Sequence, residues 1–151
     1  MKAKLIGLTG PAGCGKDTVA DYLCSHKGFT RYAYADPLRL EVAAAFGISV
    51  DLLMDRTRKE ALTDTLALER CTDPYFAASI NDKLNIHHHP KLPRSPRWIM
   101  QKWGTDYRRE FDGQDYWINQ AENALADLDR AGIVNVVITD VRFEDEANFI
   151  R

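Results

Sequence analysis

The sequence predicts an α/β fold in which helices flank a parallel sheet, and three observations lead to this prediction. Two short runs are apolar without alternation, KLIGLT at residues 4–9 and IVNVVIT at residues 133–139. Such runs are typical of strands that are buried on both faces of a parallel sheet. Strand and helix patterns alternate between residues 4 and 47, and a glycine-rich segment joins the first strand to the first helix. Alternation of this kind is typical of the α/β class.

The first helix is expected to begin near Gly15 and to end at residues 27–28, where a glycine provides a stop signal. Residues 29–35 (FTRYAYA) predict the second strand. After it, Asp36 and the following proline predict the N-cap and first position of another helix, which ends near Gly47.

The middle of the chain predicts an excursion from the sheet. Residues 49–68 are charge-rich with a helical pattern, and residues 71–96 hold four of the six prolines and predict irregular structure. We interpret residues 49–95 as a helical and irregular excursion within one domain that covers residues 1–151. Further helices are predicted from Ser95 to Gly104, over residues 114–130 and from residue 143 onward.

Composition narrows the class of protein. Hydrophobic residues make up 45% and charged residues 28% of the 151, an ordinary balance for a soluble domain. The formal charge of −2 gives no global attraction to nucleic acid or to an anionic membrane. No apolar run approaches the roughly 20 residues of a membrane span. Three cysteines without framework spacing favour reduced thiols, and we therefore expect a cytoplasmic protein.

The segment GPAGCGKDT carries the main functional signal. It fits the phosphate-binding pattern G-x-x-x-x-G-K-[ST] at each fixed position except the last, where Asp17 stands instead of a hydroxyl residue. A strand before it and a helix after it are the context that this pattern requires; the alternative is a glycine turn that merely joins the two elements. The residues expected to bind the phosphates of a nucleotide are Gly10, Gly13, Cys14, Gly15, Lys16, Asp17 and Thr18.

A phosphate loop also needs a carboxylate near Mg²⁺, usually at the end of a neighbouring buried strand. Asp140 follows the apolar run at residues 133–139 and is the candidate, with a purely capping role as the alternative. Asp17 is the second candidate ligand, because a carboxylate is also a hard oxygen ligand, directly or through water. Thr18 still offers a hydroxyl for the α-phosphate.

Segments beyond the phosphate loop extend the pattern to most of the chain. GKDT, RWIMQKWGTD within residues 95–117, and ITDVRFEDEA at residues 138–147 occur in the order in which phage-type deoxynucleoside monophosphate kinases carry similar motifs, with YADPLR and RKE between the first two. The sequence therefore resembles that family. The resemblance implies ATP and Mg²⁺ as cofactors and a deoxynucleoside monophosphate as the phosphate acceptor.

The resemblance also implies a P-loop fold with a five-stranded parallel sheet in the order 2-3-1-4-5. Only the first three strands, order 2-3-1, are visible before residue 151, and the C-terminal strands and a cationic lid are missing from the pattern. Three interpretations stay open: a fragment, strands supplied by a second subunit in a homodimer, or a shortened architecture.

Several cationic and polar residues are candidates for the acceptor phosphate and its nucleoside. Arg97 and Gln101 lie four positions apart on one predicted helix and hence on one face. Arg142 follows Asp140 by two residues, so both side chains are expected on one side of an extended segment. Arg109 matches the arginine after the family's G-T-[DE]. We assign catalysis to Lys16, Arg97, Arg109 and Arg142, and acceptor binding to Asp36, Arg39, Arg97, Gln101, Asp106 and Arg142.

Two other functions remain as alternatives: a nucleotide-binding module without kinase turnover, and another P-loop kinase such as one for dephospho-coenzyme A. A nucleic-acid patch between Lys91 and Arg109, with Trp98 and Trp103 as stacking partners, is disfavoured because the two tryptophans fall on different helix faces. The run at residues 87–89, three consecutive histidines, is expected to be a loop and not a metal site.

Overall fold

The sheet is built from three short parallel strands within residues 4–84 and 89–151, the part of the chain that this computed structural model describes. The strands are β1 (Lys4–Gly7), β2 (Thr30–Tyr32) and β3 (Asn135–Ile138). Their order is β1-β3-β2, with Ile6 opposite Val137 and Tyr32 opposite Ile138. The predicted α/β class with strand order 2-3-1 is confirmed. Each strand is shorter than the segment that predicts it, because the chain leaves the sheet to form the loops at the strand ends.

The chain divides into two compact units, which are described separately. The first contains Met1–Asp36 and Trp117–Arg151. It holds the sheet, and its core includes Ala20 and the three consecutive β3 residues from Val136 to Ile138, all at most 1% exposed. Its helices are α1 (Lys16–Lys27), most of α6 (Tyr116–Arg130) and α7 (Glu144–Ile150). Because β3 is the central strand, its continuous apolar run is buried on both faces, as its lack of alternation indicates.

The second unit, Pro37–Tyr116, is helical. Its core is an aromatic cluster in which Phe76 lies 4.6 Å from Trp103 and 5.7 Å from Tyr107, measured between ring centroids. Its elements are α2 (Ala35–Phe46, beginning just before the unit), α3 (Val50–Met54), two 3-10 turns (Asp64–Leu66 and Leu68–Arg70), α4 (Pro74–Leu84), α5 (Pro96–Gln101) and a π-helical segment (Lys102–Asp112).

Two predicted features of this unit are wrong. The prolines predicted irregular structure over residues 71–96, but α4 forms there because Phe76 and Ile80 are buried on one face, at 0 and 1% exposed. A helix stop was predicted at Gly104, yet the helix continues as the π-helical segment. Burial of Trp103 and Tyr107 outweighs the cost of a glycine inside a helix, about 1 kcal/mol.

Candidate functional site

The glycine loop between β1 and α1 has the backbone that an anion-binding nest requires. Gly10 and Gly15 have φ values of 139° and 91°, in the region that strains any L side chain. At Gly10 an added Cβ would also lie 2.7 Å from Cys14 Sγ. Gly15, the residue before α1, provides no side-chain cap for the first-turn N–H groups of that helix. An anion is the natural partner for such N–H groups.

Lys16 is folded onto this loop. Its Nζ donates to the carbonyl oxygens of Gly10 and Pro11, at 2.7 and 2.8 Å, and lies 3.7 Å from Cys14 Sγ. The ammonium group is therefore held beside the loop backbone by carbonyl contacts that a phosphate oxygen can replace. The loop and Lys16 together can neutralise and orient a polyphosphate chain.

Asp17 is contacted by Arg31, a residue that no sequence motif indicates. Arg31, in β2, places its Nη2 2.7 Å from Asp21 Oδ1 and 3.2 Å from the Asp17 carbonyl oxygen, and its Nη1 3.8 Å from Asp17 Oδ1. Asp17 and Asp21 are four positions apart in α1 and share a face. A hydroxyl in place of Asp17 would offer no charge to this guanidinium.

Asp140 lies just after β3 and bonds to the backbone where α2 begins. Its Oδ1 accepts from the Tyr34 N–H at 2.7 Å, and its Oδ2 from the Ala35 N–H at 2.9 Å. Burial raises the pKa of Asp140, while the bonds from Ala35 and Tyr34 and the nearby Arg142 oppose that rise. The capping role weighed for Asp140 is thus present. Each carboxylate oxygen keeps a second lone pair, so a role as a metal ligand stays a prediction.

Asp36 is not the N-cap that the sequence predicts. The helix begins one residue earlier, at Ala35, and the Asp36 Oδ2 accepts from the Ala33 N–H at 3.0 Å. Instead, the carboxylate of Asp140, more than a hundred positions away along the chain, accepts from the N–H groups of Tyr34 and Ala35 at the start of this helix. No local pattern reveals such a partner.

Arg142 is exposed beyond β3, and its backbone N–H donates to Glu146 Oε2 at 2.8 Å. Against the larger effect of burial, which raises the pKa of Asp140, the positive charge of Arg142 lowers it. The first unit therefore brings together Lys16 with the loop, Asp17 with Arg31, and Asp140 with Asp36 and Arg142.

In the second unit, Arg97 and Gln101 are both exposed on α5, as their spacing predicts. Arg97 forms an ion pair with Glu60, and its backbone N–H donates to the Lys59 carbonyl oxygen at 2.9 Å. The segment RKE, noted for its resemblance, is therefore the segment that holds the start of α5. An acceptor phosphate would have to compete with Glu60 for Arg97.

The remaining acceptor candidates are less accessible. Arg39 is half-buried in the second turn of α2, which starts at Ala35. Asp106 forms an ion pair with Lys102 at 2.7 Å. Arg109 is only 7% exposed. Their roles in acceptor binding stay predictions.

Comparison with known proteins identifies the family. The chain is 30% identical to the deoxynucleoside-5'-monophosphate kinase of Escherichia phage T5, in an alignment that covers 97% of this chain and 71% of that protein. The chain belongs to the deoxynucleoside monophosphate kinase family. The resemblance drawn from these five segments of sequence, GKDT, YADPLR, RKE, RWIMQKWGTD and ITDVRFEDEA, is thereby confirmed.

Two other relatives agree with this family. A putative deoxynucleotide monophosphate kinase of Acanthamoeba polyphaga mimivirus is 26% identical over 97% of this chain and 68% of its own length. An adenylate kinase of Parasynechococcus marenigrum (strain WH8102) is 38% identical over 45% of this chain and 37% of its own length. No protein-family model matches the chain.

A hydrogen-bonded cluster around Glu41 in the second unit is a feature that the sequence did not reveal. The Glu41 carboxylate accepts from Trp103 Nε1 at 2.7 Å, from Arg108 Nε at 2.8 Å and from the Tyr116 hydroxyl. Arg108 also bonds to Asp112 at 2.9 Å. Burial alone would lower the pKa of Arg108, but its bonds to Asp112 and Glu41 outweigh that effect and raise the pKa. The cluster fixes the segment that contains the family's G-T-D motif.

Trp103 and Trp98, considered above as stacking partners for nucleic acid, differ in their surroundings. Trp103 is only 2% exposed, so it offers no surface on which a base could stack. The Arg94 guanidinium lies over the Trp98 ring, with its Cζ 4.4 Å from the ring centroid.

Within residues 4–84 and 89–151 no group of three or more His, Cys, Asp or Glu could hold a metal ion. His87 and His88 lie outside the described residues. Among the described helices, none has the length and apolar character needed to cross a membrane.

Proposed function

We propose that this protein transfers the γ-phosphoryl group of ATP to a deoxynucleoside monophosphate, yielding ADP and the deoxynucleoside diphosphate. The observation that carries the proposal is the glycine loop with Lys16 bonded to its carbonyl oxygens at the uncapped start of α1. That arrangement supports the binding of a polyphosphate, and membership of the family supports the choice of donor and acceptor.

The roles of the residues follow from the chemistry of phosphoryl transfer, which consists mainly of positioning and charge neutralisation. The N–H groups of the loop and Lys16 bind the β- and γ-phosphates, and Thr18 binds the α-phosphate. Mg²⁺, where bound, neutralises charge between these phosphates. The residues proposed to hold it, directly or through water, are Asp17 and Asp140, whose oxygens are the hard ligands that this ion prefers.

The acceptor is assigned to cations and to one amide. Arg97, Arg109 and Arg142 neutralise the acceptor phosphate and the group in transfer, Arg39 supports them, and Gln101 hydrogen-bonds to the base. Asp36 and Asp106 orient the nucleoside. A general base is not required, because a phosphate acceptor is already ionised at neutral pH.

The test is a coupled ADP-release assay with ATP and Mg²⁺, run with dAMP, dCMP, dGMP, dTMP and dephospho-coenzyme A as acceptors. We expect acceptor-dependent ADP release with at least one deoxynucleotide. Turnover with dephospho-coenzyme A alone would favour another P-loop kinase, and ATP binding without product would favour a nucleotide-binding module. No turnover and no ATP binding would contradict all three assignments.

Variants of the loop provide the second arm. Lys16→Ala is expected to lower kcat/KM at least about 100-fold, the usual loss when one group that stabilises transition-state charge is removed. Asp17→Ser restores the common hydroxyl and should retain ATP binding. Lys27→Ala, at the other end of the same helix, is the matched control and should leave both unchanged. If Asp17→Ser loses ATP binding as Lys16→Ala does, the interpretation of Asp17 as a tolerable ligand substitution is wrong.

A further inference from the structure

Asp17 adds a negative charge to a site that has to bind a polyanion. It directly follows Lys16 in the first turn of α1, where related loops carry an uncharged hydroxyl. A carboxylate beside a triphosphate repels it unless a cation compensates the charge. The lysine of the loop is already directed to the backbone carbonyl oxygens of Gly10 and Pro11.

Arg31 is the cation that the structure places at this carboxylate. Its guanidinium contacts α1 at the Asp17 carbonyl oxygen (3.2 Å), at Asp17 Oδ1 (3.8 Å) and at Asp21 Oδ1 (2.7 Å). The side chains of Arg31 and Asp17 are 40 and 48% exposed. Ion pairs this exposed contribute little to folding stability. Holding the protein together is therefore a poor explanation for Arg31, whereas its charge still acts on any anion that enters the neighbouring loop.

We propose that Arg31 is a positioning residue of the donor site, which neutralises Asp17 in the absence of a divalent cation and so permits a nucleoside triphosphate to enter the loop. This inference rests on the proposed function, since it requires ATP to bind at Gly10 to Thr18. Arg31 acts through Asp17 and makes no contact with the phosphates.

A specific dependence on Mg²⁺ follows. When Mg²⁺ accompanies ATP, the cation neutralises Asp17 itself, and the contribution of Arg31 becomes small. When Mg²⁺ is absent, Arg31 is the neighbouring cation that offsets the carboxylate. Loss of Arg31 should therefore weaken the binding of metal-free ATP more than the binding of MgATP, which a purely structural role would not do.

The experiment is isothermal titration calorimetry of the full chain with ATP, once in EDTA and once with excess Mg²⁺. For Arg31→Gln we expect the Kd of metal-free ATP to rise about threefold to tenfold, as expected for loss of a partly exposed charge, and the Kd of MgATP to change less than about twofold. The double variant Arg31→Gln/Asp17→Asn removes the carboxylate charge of Asp17 as well. It should restore the metal-free Kd to nearly that of the wild type, which makes the pair a double-mutant cycle.

Asp21→Asn is the matched control, because it removes the 2.7 Å partner of Arg31 but leaves Asp17 and Arg31 in place. It should leave the ratio of the two Kd values unchanged. The inference would be overturned if Arg31→Gln raised the Kd of metal-free ATP and of MgATP equally, or changed neither. It would also be overturned if Asp21→Asn changed the ratio of the two Kd values as Arg31→Gln does. In each of these cases ATP binding by the wild type would still uphold the donor site. Absence of ATP binding by the wild type would overturn the proposed function and the inference with it. Circular dichroism and the thermal midpoint verify that each variant is folded.

Discussion

At the scale of one residue, the carboxylate of Glu41 joins three side chains that are distant from it in sequence. Its three donors, Trp103, Arg108 and Tyr116, lie 62 to 75 positions further along the chain. The Glu41 side chain is 22% exposed, so solvent can replace these bonds only in part. The guanidinium of Arg108 also lies within 6 Å of three aromatic ring centroids, of which Tyr107 is the nearest at 4.7 Å.

Removal of this carboxylate should be costly. We expect Glu41→Ala to lower the free energy of unfolding by about 2–4 kcal/mol, because an indole N–H, a guanidinium and a hydroxyl lose their acceptor together. The measurement is urea unfolding followed by fluorescence. Glu122→Ala, at an exposed position of α6, is the control and should change stability by less than about 0.5 kcal/mol. A Glu41→Ala value as small as the control value would refute the structural role of the cluster.

The site residues that a local sequence motif predicts are those that lie next to one another in the chain. The glycines of the loop, Lys16 and Asp17 are contiguous, and their spacing alone predicts a phosphate nest next to a helix start. The pairing of Arg31 with Asp17 and of Asp140 with Tyr34 depends on which strands become neighbours. That information is absent from any local window of sequence.

At the scale of elements, the start of α2 depends on a side chain from another strand. Asp140 accepts one hydrogen bond on each carboxylate oxygen, from the N–H groups of Tyr34 and Ala35. A carboxylate can accept both bonds, whereas an amide has one oxygen and places N–H groups where the second donor points. The ability of Asp140 to accept a hydrogen bond on each oxygen is therefore what we expect to stabilise the start of α2.

Asp140→Asn tests this directly. We expect the free energy of unfolding to fall by about 1–3 kcal/mol, the cost of leaving a buried donor unsatisfied. Asp36→Asn is the matched control, since the bond from the Ala33 N–H goes to one carboxylate oxygen of Asp36, and an amide oxygen can accept it equally. Thermal and urea unfolding give both values. Equal losses in the two variants would show that the second acceptor of Asp140 is unimportant.

The elements themselves were predictable to different degrees. Strands β1 and β3 and helices α1 and α6 follow from apolar runs, glycine stops and helical spacing, which are strong local signals. The start of α5 is also local, because Ser95 Oγ accepts from the Trp98 N–H at 3.2 Å, as an N-cap serine should. Helix α4 and the π-helical segment were not predicted, because tertiary burial of Phe76, Trp103 and Tyr107 overrides prolines and a glycine.

At the scale of the whole molecule, three tyrosines link stability to alkaline pH. Burial raises the pKa of Tyr32, Tyr107 and Tyr116, and bonds to Asp73 and Glu41 add to the effect at the last two. For Tyr107 the pKa rises from 10.0 to about 12. Between these values the unfolded chain loses its proton first. Stability that is fully present below pH 10 is therefore lost as the pH rises towards 12.

The expected result is a free energy of unfolding that falls between pH 10 and about 12, with a shallower fall in Tyr107→Phe than in the wild type. Tyr75→Phe, at a ring that is 74% exposed, is the control and should follow the wild-type curve. Urea unfolding at several pH values measures each slope. Parallel curves for the wild type and Tyr107→Phe would show that Tyr107 does not contribute to this linkage.

The position of β3 also dictates when the protein can fold during synthesis. In the described sheet β3 lies between β1 and β2, yet it is made last: β1 ends at Gly7, and β3 begins at Asn135. Residues 8–134 are therefore synthesised before either earlier strand can meet its partner, a long-range closure of the kind that slows folding. Until β3 is present, β1, the strand that precedes the glycine loop, has no partner strand in the described sheet. A nascent chain should acquire affinity for nucleotide only after the segment around Asp140 has emerged.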